Sequence, residues 1–393
     1  MHNIGFVYTV FPLGGAERSL QNLAPELTKL GYKVFVFTSG VREDLFTTET
    51  KQYITIVKID SKKGCDKCAE IIKKAQEKCI ELMLFSDSSP IIYKEQIYLA
   101  KALPCPTIFV NHGKIFWEIT DRIESIKEKR SRTKSILKKL RYSALLYLYE
   151  NFRYCRFYKV RRKYKALVEA NEKYVVLCDE YMSDMLETVN VDSRKVLAIP
   201  NGMPEPPMQY SMDKEKVVIY VGRLTRNDKR VDRLLYVYDK IHSDFPEWKL
   251  KIVGDGPERE KLEGLAKELK LRNIEFCGFT VNPFKYYNEA SILCLTSHHE
   301  GFGMVLIEAQ QAGVIPVAFS CSSGVGSIIS DNWGNGVLVE PYDLDEYLRS
   351  LRKLMSDEEL RRKMQKCVLE KSKGFSITNV AMRWDSLFRQ GLK

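Results

Sequence analysis

Two kinds of segment alternate along most of this chain, and their order leaves few folds open. Short, β-branched apolar runs (IGFVYTV, KVFVFTS, KVVIYVG, KLKIVG, SILCLTS) are separated by longer stretches with helical apolar spacing. A run that is apolar throughout has to be buried on both faces, which a parallel strand covered by helices achieves. GGAERSLQNLAPELTKLGY reads as the first helix. Others are expected near 229–243 and 257–270, from about 303, and over 376–391. AIPNGMPEPPMQYSMDKEK has neither periodicity and is rich in Pro, Gly and Met, so a linker is placed near 199–215. The expected class is α/β: two Rossmann-like, doubly wound parallel-sheet domains, 1–199 and 200–375, facing a central cleft at the strands' carboxyl ends. At 393 residues and 45% hydrophobic, the chain is large enough for two such cores and is not disordered.

Charge is concentrated in one place. Segment 127–165 holds fifteen Lys and Arg residues against Glu128 and Glu150, a net +13, while the whole chain carries +11. The remainder is therefore close to neutral. Leu137, Leu140, Ala144 and Leu148 recur at helical spacing, with Lys134, Lys138, Lys139 and Arg141 alongside, and seven aromatic residues follow from Tyr142 to Tyr158. Lys and Arg mixed with aromatics suit a helix lying on an anionic membrane; a solvated helix face with inward-packed aromatics has the same composition. Nucleic acid is not expected, since no binding module accompanies the charge. Ten scattered cysteines do not make a disulfide framework, and CDKC at 65–68 lacks a second pair for zinc. Cys277 and Cys294 alternate with apolar strand residues and are expected to be buried. The opening MHNIGFVYTV reads as a strand, not a signal peptide. No stretch approaches the roughly 18 apolar residues of a membrane span. A reduced, cytoplasmic protein is expected.

The densest chemical signal is HHEGFGMVLIEAQQAG, 298–313. Gly301 and Gly303 would let backbone N–H groups approach an anion at the start of a helix. Glu300 lies before that helix and Glu308 inside it, separated by roughly 12 Å of helix rise. That spacing suits a clamp on two ends of one long ligand better than a glycosidase acid–base pair. GDGPER at 254–259 lacks the third glycine of a dinucleotide fingerprint, and no P-loop is present.

EGFGMVLIE resembles the E-x7-E motif of the retaining glycosyltransferases of family 4, which have the GT-B fold. GGAERSL, VGRLTRNDKRVDRLL, IVGDGPE, FCGF and GNGVLVEPYD agree with that family in the same order. The resemblance implies a hexosyltransferase using a nucleotide-diphosphate sugar, with no metal or other cofactor. It assigns Arg223 and Lys229 to the pyrophosphate, Glu308 to the ribose and Glu300 to a hydroxyl of the transferred hexose. Gly15 would face the phosphates from the amino domain, and Gly301, Phe302, Gly303, Met304 and Val305 would line the donor. His112 matches the histidine beside the transferred sugar, although an ordinary loop histidine reads the same. Arg230 stands where the family often has glycine. The fold also implies that the last helix, 376–393, crosses back onto the amino domain with Trp384 as an anchor.

Combined with the basic element, the resemblance implies a peripheral enzyme on the inner face of the cell membrane. It would transfer a hexose or N-acetylhexosamine, UDP-linked first, to a lipid-linked or glycan acceptor in polysaccharide assembly. A sugar-nucleotide epimerase on the same fold and a non-catalytic partner subunit are the alternatives. Retention of Arg223, Lys229, Glu300 and Glu308 together speaks against the second.

Overall fold

The computed structural model describes residues 1–12, 14–46, 48–61, 64–86, 93–133, 135–151, 158–206 and 210–391. Its first sheet has seven strands: β1 (His2–Phe11), β2 (Tyr32–Val41), β3 (Ile54–Lys58), β4 (Leu82–Ser86), β5 (Thr107–Val110), β6 (Lys173–Val176) and β7 (Val196–Ala198). The second has six: β8 (Val217–Val221), β9 (Lys249–Val253), β10 (Ile274–Gly278), β11 (Ile292–Leu295), β12 (Ile315–Phe319) and β13 (Val337–Val339). Spatial orders are β3-β2-β1-β4-β5-β6-β7 and β10-β9-β8-β11-β12-β13, with parallel pairing throughout. The fold is thus two doubly wound sheets of the GT-B kind. Each order reverses once, beside β1 and beside β8. Ligand crevices form at such reversals, outside the strands' carboxyl ends.

Central strands are apolar throughout because helices cover both faces: Leu82–Phe85 and Ile292–Leu295 are buried residue after residue. β10 is the sheet edge, and there the expectation fails for Cys277, which is only half-buried because no strand covers its outer side. Cys294, on a central strand, is fully buried. The expected 229–243 helix is shorter, Val231–Asp239, and Arg230 before it, at φ 49°, ψ 46°, sets its start. The helices after β9 and β11 run Arg259–Glu268 and Met304–Gln311.

The last helix, Ile377–Gly391, lies on the first sheet although it follows the second in the chain. Val380, Trp384, Leu387 and Phe388 join Ile4, Phe6, Leu20 and Leu84 in one apolar cluster. Phe388 meets Tyr32 edge-on at 5.3 Å, and the Tyr32 hydroxyl donates to Asp385 Oδ1 at 2.8 Å. Where the chain enters this helix it runs beside the linker. Met203 N–H donates to the Phe375 carbonyl at 2.8 Å, and Ile377 N–H to the Met203 carbonyl at 2.9 Å.

Candidate active site

The loops that follow β1, β5, β8 and β11 converge on the cleft. After β8, Arg223 extends with its side chain 70% exposed, its Nη2 3.7 Å from Asp228 Oδ2. Asp228 organises the turn: its carboxylate accepts from Thr225 Oγ1, and its carbonyl accepts from the N–H groups of His298 and His299. The β8 and β11 loops are thereby tied together, which sets Lys229 against Glu300. Lys229 Nζ donates to Glu300 Oε1 at 2.6 Å, and Ser297 Oγ donates to the same oxygen at 2.7 Å. Both side chains are mostly withdrawn from solvent, 18% and 8% exposed. A buried carboxylate requires such partners, and the pair is neutral as a unit.

Arg230, in the left-handed region, holds that conformation with its side-chain fork on Asp232, two bonds of 2.9 Å. Burial works against the Asp232 charge, but the guanidinium keeps its pKa below the ordinary carboxylate value. The departure from glycine thus leaves Lys229 in place. The left-handed geometry is also the physical reason a glycine suits this position.

Past Glu300 the chain turns tightly. A Cβ on Gly301 would stand 2.3 Å from the His112 carbonyl oxygen, so only glycine lets the two domains touch there. Gly303, at φ 93°, starts the helix Met304–Gln311. Phe302 is 3% exposed and packs on Phe375 at 5.9 Å, so its side chain belongs to the core and does not line the donor. Met304 and Val305 are partly buried against the same core. Glu308 is buried, and Tyr287, also buried, donates to its Oε2 at 2.9 Å.

From the first sheet, the loop after β5 brings His112, with Gly113 N–H donating to Asn111 Oδ1 at 3.1 Å. Two bonds cross the cleft near it: Lys114 Nζ to the Cys321 carbonyl at 2.9 Å, and the Tyr181 hydroxyl to the Gly301 carbonyl at 3.0 Å. After β1, Gly14 N–H donates to Glu17 Oε2 at 2.8 Å, and Gly15 opens onto space, with no atom within 4 Å of where its Cβ would be. Among the described residues, no group of three or more His, Cys, Asp or Glu side chains is placed to hold a metal ion.

Residues 207–368 match the family described as glycosyl transferases group 1, and residues 13–205 the one described as Glycosyltransferase Family 4. The chain is a glycosyltransferase of the family 4 type. A Haemophilus influenzae protein described as an uncharacterized glycosyltransferase is 28% identical, over 98% of this chain and 100% of its own length. The O-antigen biosynthesis glycosyltransferase WbnH of Escherichia coli is also 28% identical, over 98% of this chain and 99% of that one. Among solved structures, the sucrose-phosphate synthase of Thermosynechococcus elongatus superposes with a TM-score of 0.74 at 17% identity, covering 99% of each chain.

Arg18, Asp228, Tyr287 and Ser297 have no place in the sequence-based set of this glycosyltransferase's cleft, and neither do Lys114 and Tyr181. Arg18 stands inside GGAER and Ser297 three residues before Glu300, so their motifs were visible; what they contact was not. Arg18 Nη2 lies 3.3 Å from Glu308 Oε1, an ion pair between the two domains. Outside the cleft, the helix Ile136–Asn151 carries Lys138, Lys139 and Arg141, all exposed, while Lys134 lies outside the described residues. Leu137 and Leu140 on the same helix are 80% and 62% exposed. The stripe at helical spacing therefore faces solvent, not the core, and among the described side chains of this helix only Leu146 is a buried core residue. No helix among the described residues is long and apolar enough to cross a membrane.

Proposed function

We propose that this enzyme transfers a hexose or N-acetylhexosamine, with retained anomeric configuration, from a UDP-linked donor to an acceptor carried on a membrane lipid during polysaccharide or glycan assembly. The observation that carries the reading is the convergence of Arg223, Lys229, Glu300 and Glu308 on one cleft between two sheet reversals. Two fixed cations suit a departing diphosphate, and two buried carboxylates suit hydroxyl groups of the sugar and the ribose. In the step itself, the bond from the anomeric carbon to the diphosphate oxygen breaks. A bond to the acceptor oxygen forms on the same face, and the acceptor proton passes to the leaving phosphate. Arg223 and Lys229 hold the charge that develops there, together with the N–H groups that start the helix Met304–Gln311. Glu300, oriented by Lys229 and Ser297, positions the hexose. His112 borders the transferred sugar from the amino domain, and Gly15 admits the phosphates. The similarity to WbnH, an O-antigen biosynthesis glycosyltransferase, supports a role in glycan assembly.

The membrane side of the proposal rests on the helix Ile136–Asn151, whose exposed leucines lie among exposed Lys and Arg. Such a face gains from apolar insertion and from anionic headgroups together, at about 1 kcal/mol per basic residue. On this reading the enzyme works at the inner face of the cell membrane. Replacing Lys138, Lys139 and Arg141 by Glu is expected to weaken binding to phosphatidylserine-containing vesicles on the order of 100-fold, read by co-sedimentation. Unchanged binding would remove the membrane role from this helix.

The deciding experiment is turnover of labelled UDP- and GDP-sugars with a total membrane lipid extract. Label entering the organic phase is the expected result and identifies the donor. Label confined to the aqueous phase in every case overturns the lipid acceptor.

A further inference from the structure

Glu308 is an unusual carboxylate. It is 1% exposed, and its Oε2 is satisfied by the Tyr287 hydroxyl, yet its Oε1 makes no hydrogen bond. The guanidinium of Arg18 lies 3.3 Å from that oxygen and neutralises the charge without the alignment of a hydrogen bond. Leaving a buried acceptor in that condition is costly, and the oxygen is poised to take a better donor. Arg18 is the less committed partner. It comes from the opposite domain, is 44% exposed, and stands in the first turn of the helix Gly15–Lys29, beside the open space at Gly15.

The second carboxylate of the cleft is in a matching situation, since Glu300 is neutralised by Lys229. Each carboxylate is thus matched by one cation. A nucleoside-diphosphate sugar brings what an exchange needs: hydroxyls to donate to the carboxylates, and two negative charges to receive the cations. Before the exchange each carboxylate faces a cation; after it the cations face phosphate and each carboxylate accepts from hydroxyl groups. A nucleoside alone supplies only the hydroxyls, so it would have to displace Arg18 from Glu308 with nothing offered to the guanidinium.

We propose that Arg18 is a positioning residue for the donor diphosphate, paired with Glu308 across the cleft and transferred to phosphate when ribose hydroxyls occupy Glu308. This inference rests on the donor-site reading above and extends it to a residue of the amino domain. It also makes Arg18 a selector for diphosphate over nucleoside.

The test compares wild type, Arg18→Gln, Arg18→Lys and Lys229→Ala. UDP and GDP binding is followed by calorimetry, and uridine and guanosine binding by saturation-transfer NMR. Arg18→Gln is expected to weaken the bound diphosphate by about 10- to 100-fold, the range for a hydrogen bond to a charged group. Nucleoside binding should stay level or tighten, and Arg18→Lys should recover part of the loss because charge without the planar fork is only a partial substitute. Unchanged diphosphate affinity in Arg18→Gln overturns the proposal, and so does an equal loss for diphosphate and nucleoside, which would mean a merely structural contact. If wild type binds and Lys229→Ala does not, those outcomes count against Arg18 alone. If wild type binds neither diphosphate, the donor-site reading falls and this inference with it.

Discussion

Sugar transfer by Lys229→Ala is expected to fall by about two to three orders of magnitude, the usual loss when one preorganised charge-stabilising group is removed. The same substitution should cost on the order of 3 kcal/mol of stability, because it leaves a buried carboxylate without its cation. Glu300 is 8% exposed and would keep only the Ser297 hydroxyl. Glu300→Gln should also lose transfer, and because it leaves the Lys229 ammonium, 18% exposed, without its anion, it should lose stability as well. The double variant Lys229→Met with Glu300→Gln should unfold in urea close to wild type and still be inactive. Urea unfolding measured beside labelled-donor turnover reads both quantities. Transfer within threefold of wild type in Lys229→Ala would make the pair structural, and the assignment of the diphosphate site would have to move.

Trp384→Ala is the second large effect, about 3–5 kcal/mol, the cost of deleting a large aromatic side chain from a packed site. Trp384 is 7% exposed and stacks obliquely on Phe388 at 5.5 Å. The loss should appear in the first domain, over 180 residues away in sequence, as weakened protection of the β1 amides in hydrogen exchange. Protection lost only within the helix Ile377–Gly391 itself would contradict this. A pH signature accompanies the contact. The Arg389 guanidinium, hydrogen-bonded to Asp385, holds that carboxyl below its ordinary range, with Tyr32 adding to the effect against the opposing pull of burial. A depressed folded-state pKa contributes stability above the unfolded value, about 3.9, and the contribution fades as pH falls toward the folded value. Asp385→Asn should therefore be less stable than wild type at pH 7, with the difference shrinking below about pH 4.

What the sequence made legible was whatever its neighbours along the chain determine. The buried strands, the helix starting at Met304, and the motifs bearing Lys229 and Glu300 are local patterns, and each is visible in a dozen residues. Contacts joining distant segments were not legible. Arg18 meets Glu308 only because two separately folded sheets close on one another, and nothing within GGAER specifies that partner. Cys277 was misplaced for a related reason: an apolar run does not reveal whether its strand is central or at the edge. The outward position of Leu137 and Leu140 was likewise set by how their helix packs, which composition does not reveal. Arg230 was the opposite case, since its oddity was visible in the sequence. The explanation, a left-handed residue held by Asp232, required coordinates.

The docking of the final helix on the first sheet also has a consequence for synthesis. As the chain leaves the ribosome, the strands of the first domain are complete by Ala198, but the face around Ile4, Leu20 and Leu84 stays uncovered until Trp384 and Phe388 emerge. At roughly 5–20 residues per second that interval lasts on the order of 10–40 s, long enough for a chaperone to bind an exposed apolar surface. Emergence of this helix, not completion of the first domain's own strands, is then the moment at which that domain closes.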